Sequence, residues 1–82
     1  MKTTRYFEEQ VLRKRPYIDR DWCAAAIADP MRRETQEDGC VRFWREIAWA
    51  DESEPHVLRV VTPEDGETVH NAFFDRNFRK EP

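Results

Sequence analysis

Residues 56–76 concentrate the residue types that phosphodiester chemistry uses. Arg59, His70 and Arg76 all fall within these twenty-one positions. An arginine holds a phosphate through paired hydrogen bonds, and a histidine transfers protons near neutral pH. We therefore interpret His70 as a candidate acid–base group and Arg59 and Arg76 as candidate phosphate-binding groups. This chemistry needs no metal ion. The same residue types also occupy the exposed face of many small sheets.

The proximity of Arg59 to His70 depends on the turn that ends at Gly66. Residues 57–61 and 68–74 have the composition of strands, and the Pro-Glu-Asp-Gly sequence between them is typical of a tight turn. With a symmetric four-residue loop, Arg59 lies opposite His70 on one face of the sheet. A one-residue bulge at Gly66 would break this register. The sequence therefore predicts a cross-strand pair and leaves its register open.

Two helices are predicted before the strands. Thr4 can cap a helix over about residues 4–15, and Asp19 can cap another over about residues 20–29, which ends at an Asp-Pro step. Strands are predicted at 31–37 and 40–50, around an Asp-Gly turn, and at the two segments named above. The 82 residues are thus interpreted as a single α+β domain, with two N-terminal helices packed on a four-stranded antiparallel sheet over about 31–75. The predicted core residues are Trp22, Ile27, Phe43, Ile47, Leu58, Val60, Val69 and Phe73.

The charge distribution limits the binding functions. Residues 1–33 hold eight basic and five acidic side chains, whereas residues 34–82 hold six basic and twelve acidic ones. A domain that binds nucleic acid along its sheet usually has excess lysine and arginine there. The acidic second half argues against extended nucleic-acid binding and leaves room for a local cluster of arginines. The candidate RNA- or partner-binding residues are Arg32, Arg33, Arg42 and Arg45.

The cysteines and histidines lack the spacing of a metal site. Cys23 and Cys40 lie in unlike predicted elements, which favours free thiols in a reducing compartment. We predict no metal and no cofactor, since the chain has neither paired metal ligands nor a glycine-rich phosphate loop. The longest apolar run has seven residues, too few for a membrane span or a signal peptide. We therefore expect a cytoplasmic protein with no membrane partner.

The segments RKRPYIDRDW, ADPMRRETQEDGCVRFW and LRVVTPEDGETVHNAFFDRNF together carry a family resemblance. Their order of elements over about the whole chain resembles the small bacterial domains related to RelE-like and BrnT-like toxins. The resemblance implies an endoribonuclease that cleaves messenger RNA, is silenced by an antitoxin, and uses Arg, Lys, His or Tyr on the concave sheet face. The alternative function is a non-catalytic module of the same fold that binds another protein through its sheet face or edge. The sequence also leaves a homodimer open.

Overall fold

The computed structural model describes residues 1–48 and 56–78. Helix α1 is a π-helical turn, Phe7–Val11, continued by an α-helical turn, Leu12–Lys14, and helix α2 is Arg20–Ala28. The strands are β1 (Arg32–Thr35), β2 (Val41–Ile47), β3 (His56–Thr62) and β4 (Asn71–Phe74). They form one antiparallel sheet in sequence order. The α+β class and the four-stranded antiparallel sheet are therefore confirmed. The predicted strand end at 49–50 lies outside the described residues.

Both predicted capping residues make the hydrogen bond expected of them. The Thr4 hydroxyl accepts a hydrogen bond from the backbone N–H of Phe7 at 3.1 Å, and an Asp19 carboxylate oxygen accepts one from the N–H of Asp21 at 2.8 Å. These bonds satisfy backbone donors that have no partner inside a helix. The sequence pattern did not predict the π-helical turn. It begins at Phe7, whose carbonyl accepts from the N–H of Leu12.

The core lies between the two helices and one face of the sheet. Helix α2 contacts β2 and β3, and α1 contacts β4. The buried core residues are Phe7, Val11, Ile18, Cys23, Ala26, Val41, Phe43, Ile47, Leu58, Val60, Val69 and Ala72. Five of the eight predicted core residues belong to this set, while Trp22 and Ile27 pack against it partly buried. The prediction for Phe73 is wrong, since its side chain is half-buried and lies on the opposite face.

The register between β3 and β4 differs from the predicted one. Arg59 pairs with Phe73 and Val61 pairs with Asn71, so the expected pair of Arg59 with His70 is wrong. The difference is three residues, and an odd shift moves a side chain to the other face of a strand. Beyond the turn, Val69 is drawn into a parallel bridge with Thr3. Strand β4 therefore begins at Asn71 rather than at residue 68.

The side chain of Asp65 lengthens this connection. Its carboxylate accepts hydrogen bonds from the backbone N–H groups of Glu67 and Thr68, at 2.9 and 3.0 Å, and from the Thr68 hydroxyl. These hydrogen bonds, that of the hydroxyl foremost, lower the pKa of Asp65 to about 2. Gly66 supplies the left-handed backbone that the turn requires, with φ at +66°. Because the Asp65 carboxylate binds the residues that follow Gly66, the connection is longer than the symmetric four-residue loop expected from the sequence.

The two cysteines are free, as predicted. Cys23 lies on the buried face of α2 and is fully buried, and burial raises the pKa of its thiol to about 12. Its thiol therefore stays protonated at neutral pH, and a protonated thiol is a poor nucleophile. Cys23 acts as a small core side chain.

Glu8 ties α1 to the start of α2. Its carboxylate accepts hydrogen bonds from both terminal nitrogens of the Arg20 guanidinium and from the Thr3 hydroxyl, the last at 2.6 Å. The bond from Arg20 is the main cause that lowers the pKa of Glu8 from 4.5 to about 2. A carboxylate whose pKa is depressed by folding contributes stability above its unfolded value and loses that contribution as the pH falls.

We expect Glu8→Gln to reduce the free energy of unfolding at neutral pH and to make little difference near pH 2. The gap between wild type and variant should close as the pH falls from 4.5 towards 2, because protonation removes the same ion pair from the wild type. Urea denaturation across this range measures the gap. Glu9→Gln is the matched control, because the ion pair of Glu9 with Arg5, four positions earlier in the chain, is exposed to solvent. A gap that stays constant with pH would contradict the assignment.

Candidate functional site on the open sheet face

The face of the sheet opposite the core presents a second set of side chains. Successive residues of a strand point to opposite faces, so the residues that alternate with the core positions share this surface. We call it the open face. Its residues are Arg32, Glu34, Arg42, Trp44, Glu46, Val57, Arg59, Val61, Asn71 and Phe73. Three of the seven predicted site residues, Arg32, Arg42 and Arg59, are therefore brought together here.

Guanidinium groups and aromatic rings alternate across the open face. Arg32 pairs with Trp44, Trp44 with Arg59, and Arg59 with Phe73, so these four side chains cross all four strands. The Arg32 guanidinium carbon lies 5.5 Å from the centre of the Trp44 ring, and that of Arg59 lies 5.7 Å from Trp44 and 5.1 Å from Phe73. Arg15 extends the series beyond β4, 5.8 Å from Phe73. We call these five residues the arginine–aromatic row.

Asp75 and Trp44 hold the centre of this row. The indole Nε1 of Trp44 donates to Asp75 Oδ2 at 3.0 Å, and Arg59 Nη1 lies 3.8 Å from the same oxygen. Trp44 is only 5% exposed, and its ring also contacts Phe78 at 5.7 Å between centroids. Asp75 thus orients both an aromatic ring and a guanidinium. This role of Trp44 was not predicted from the sequence, where it is visible only as an aromatic residue on the polar face of β2.

Two neighbouring guanidiniums on the open face have unused donors. Arg59 Nε is buried and has no hydrogen-bond partner among the described residues. The Arg42 guanidinium makes no hydrogen bond or ion pair within residues 1–48 and 56–78. Burial lowers the pKa of Arg59, and the positive charge of Arg42 lowers it further. A buried donor without an acceptor is costly, so this pair of arginines is suited to an anion.

His70 lies apart from the open face. Its Nδ1 is 3.0 Å from the Thr4 hydroxyl, and its ring stacks on that of Tyr6 at 4.8 Å between centroids. Both rings are exposed, beside the start of α1. The structure therefore separates the candidate acid–base group from Arg59.

Arg33 and Arg45 have structural contacts on the core side of the sheet, whereas Arg76 lies beyond the sheet. Arg45 Nη1 donates to the backbone carbonyl of Asp29 at 2.7 Å and to its carboxylate at 3.0 Å, which ties β2 to the end of α2. Arg33 covers the ring of Phe43, with 5.6 Å from guanidinium carbon to centroid. Arg76 lies in the turn after β4 and lines a groove at the edge of that strand.

Within residues 1–48 and 56–78, no group of three or more His, Cys, Asp or Glu side chains is placed to hold a metal ion. In the same part of the chain, no helix has the length and apolar character needed to cross a membrane. Comparison with protein-family models, with curated proteins and with solved structures returned no match.

Proposed function

We propose that this domain binds single-stranded RNA on its open face, with Arg42 and Arg59 holding the phosphates. The observation that carries the proposal is the pair of neighbouring guanidiniums with unused donors beside the arginine–aromatic row. RNA is also the substrate class implied by the resemblance to RelE-like and BrnT-like toxins.

Phosphate chemistry suits the two arginines. A phosphate on the open face would accept hydrogen bonds from the terminal guanidinium nitrogens of Arg59, and its negative charge would stabilise the guanidinium whose buried Nε has no acceptor. The negative charge would also offset the repulsion between Arg42 and Arg59. A guanidinium presents several donors in a plane and stays charged, so both arginines are equipped to hold phosphate oxygens in pairs.

The row offers surfaces for the bases. Unpaired RNA bases stack on aromatic rings and on the planes of arginine guanidiniums. Phe73 is partly exposed, while Trp44 lies beneath the guanidiniums of Arg32 and Arg59. In the proposed complex, Trp44 supports the arginine planes from below and the bases stack on their outer sides and on Phe73.

Cleavage of the bound RNA is the activity that the resemblance implies. It would not run through Arg59 and His70 as a cross-strand pair, because Phe73 lies opposite Arg59. The proposed function is therefore RNA binding. Incubation of wild type with single-stranded RNA in the presence of EDTA tests cleavage separately.

We expect Arg42→Gln and Arg59→Gln each to weaken binding of a labelled single-stranded RNA by roughly ten- to a hundredfold. A hydrogen bond to a charged group contributes about 1.5–3 kcal/mol, and each 1.4 kcal/mol is about a factor of ten. The slope of log affinity against log salt should also fall by about 0.7 for each lost phosphate contact. Fluorescence anisotropy measures both quantities.

Arg13→Gln and His70→Ala are the matched controls for this measurement. Arg13 is exposed on α1 and its replacement changes the net charge by the same amount, while His70 lies apart from the open face. Neither change should alter RNA affinity by more than about twofold. If Arg13→Gln weakened binding as much as Arg59→Gln, the contribution would be general electrostatics and the proposed site would be wrong.

The charge balance of the open face favours a second candidate, a protein-interaction module. Three arginines there are offset by Glu34, Glu46 and Asp75, and Arg32 pairs with Glu34. Protein interfaces mix arginine and aromatic side chains in this way. The partner would be an antitoxin-like protein or a second copy of the chain. A wild type that binds no RNA, but forms a dimer in sedimentation that Arg32→Glu disrupts, would replace RNA binding with this function.

A further inference from the structure

A groove of about 350 Å³ runs along the edge of β4, beside the end of α1 and the start of β3. We call it the edge groove. Its lining residues are Arg15, Tyr17, His56, Phe73, Phe74 and Arg76. The volume lies at the lower end of the range of about 300–1,000 Å³ typical of small-molecule sites. Of the seven predicted site residues only Arg76 belongs to it, so the sequence argument did not find this groove.

Aromatic contacts form the wall of the edge groove. The rings of Tyr17 and Phe74 are nearly parallel, with 6.2 Å between centroids and 12° between planes. His56 meets Phe74 edge-on at 5.5 Å, and Trp22 supports Phe74 from the core side at 5.9 Å. Because these rings pack on one another, the wall is held in place before any ligand binds. A flat ligand ring can stack against such a wall.

Two arginines whose guanidiniums form no ion pair with a described residue flank these rings. The guanidiniums of Arg15 and Arg76 make no hydrogen bond or ion pair with any described residue, and the groove's described lining contains no carboxylate. Asp75, next to Arg76 in sequence, is engaged with Trp44 and Arg59 on the open face. The combination of stacking rings and two available guanidiniums suits a ligand with one flat ring and one anionic group.

We propose that the edge groove holds one nucleotide, with its phosphate between Arg15 and Arg76 and its base against Tyr17 and Phe74. The edge groove is continuous with the proposed RNA surface, since Phe73 and Arg15 belong to both the groove and the arginine–aromatic row. The inference rests on the proposed function in that an RNA strand crossing the open face delivers the nucleotide to the groove. A free nucleoside monophosphate offers the same base and phosphate.

Titration with adenosine 5′-monophosphate, followed by ¹H–¹⁵N NMR, tests the edge groove directly. Saturable shifts are expected at Tyr17, His56 and Phe74, whereas adenosine and inorganic phosphate used alone should bind at least about tenfold more weakly. Arg15→Gln and Arg76→Gln should each weaken binding of the monophosphate by about tenfold or more, since each loses a charge-assisted bond. Arg13→Gln is the control for charge and should leave the affinity unchanged.

Competition identifies the source of the nucleotide. If saturating single-stranded RNA displaces the monophosphate, the groove takes a nucleotide of the strand, and if both bind together, it takes free nucleotide. Shifts spread over the surface, or an affinity unaffected by Arg15→Gln and Arg76→Gln, would overturn the inference. RNA binding that depends on Arg42 and Arg59 without any binding of the monophosphate would reject the groove alone. Binding of the monophosphate without any RNA binding would reject the proposed function and leave the groove as a mononucleotide site.

Discussion

Replacing Phe7 by alanine is expected to lower the free energy of unfolding by about 3–5 kcal/mol. Phe7 is fully buried at the start of the π-helical turn, where it packs in the core cluster. The truncation removes the transfer free energy of the ring and leaves a cavity, because a packed core relaxes only partly. Small domains are stable by only about 5–15 kcal/mol in total, so this variant should lie close to unfolding.

Phe73→Ala is the matched control for the Phe7 truncation. The same atoms are removed from a partly exposed ring on the open face, so the loss should be smaller. Urea denaturation of both variants, with the dependence on denaturant fitted for each, gives the comparison. Equal losses at the two positions would place Phe73 in the core after all.

Trp44→Ala is expected to cost about 3–5 kcal/mol and, under the proposed function, to abolish RNA binding. The substitution removes the ring between the guanidiniums of Arg32 and Arg59, and with it the hydrogen bond to Asp75. Without the ring, the Arg59 guanidinium loses the surface that fixes its plane. Urea denaturation measures the first effect, and RNA anisotropy at a temperature where the variant is still folded measures the second.

Trp44→Phe separates the ring from its hydrogen bond. A phenyl ring keeps a surface for the two guanidiniums but cannot donate to Asp75 Oδ2, whose side chain is 13% exposed. The loss of stability should then be about 1 kcal/mol, the usual contribution of one hydrogen bond. RNA binding should be largely retained. If Trp44→Ala were as mild as Trp44→Phe, the ring would not organise the row.

Phe7 and Trp44 are both buried, but they stand in different sequence contexts. Phe7 and Val11 form a modest apolar stripe on one face of the predicted first helix, although the predicted core residues include neither. Trp44 interrupts the polar face of β2, and nothing along the chain states what covers it. The side chains that cover Trp44 are those of Arg32, Arg59, Asp75 and Phe78. They lie on other strands or in the turn beyond β4, so only the folded sheet brings them next to Trp44.

Several features of the fold follow from interactions between residues that are close in the chain. The capping bonds of Thr4 and Asp19 and the left-handed turn at Gly39 each involve residues within a few positions of one another. The alternation within β2 likewise places Val41, Phe43 and Ile47 on the buried face. Signals of this kind are readable from sequence, because the interacting atoms are close in the chain whatever the rest of the protein does.

The pairing of β3 with β4, which assembles the candidate site, depends on a contact between distant parts of the chain. The bridge between Thr3 and Val69 joins positions 66 residues apart, and together with the Asp65 loop it delays the start of β4 to Asn71. That delay places Phe73 rather than His70 opposite Arg59. Residue types along a strand repeat every two positions, so the sequence constrains which side chains share a strand face but not which neighbour each one meets. The register, and with it the site, follows from the local Asp65 loop together with the long-range bridge between Thr3 and Val69, and no local pattern encodes that bridge.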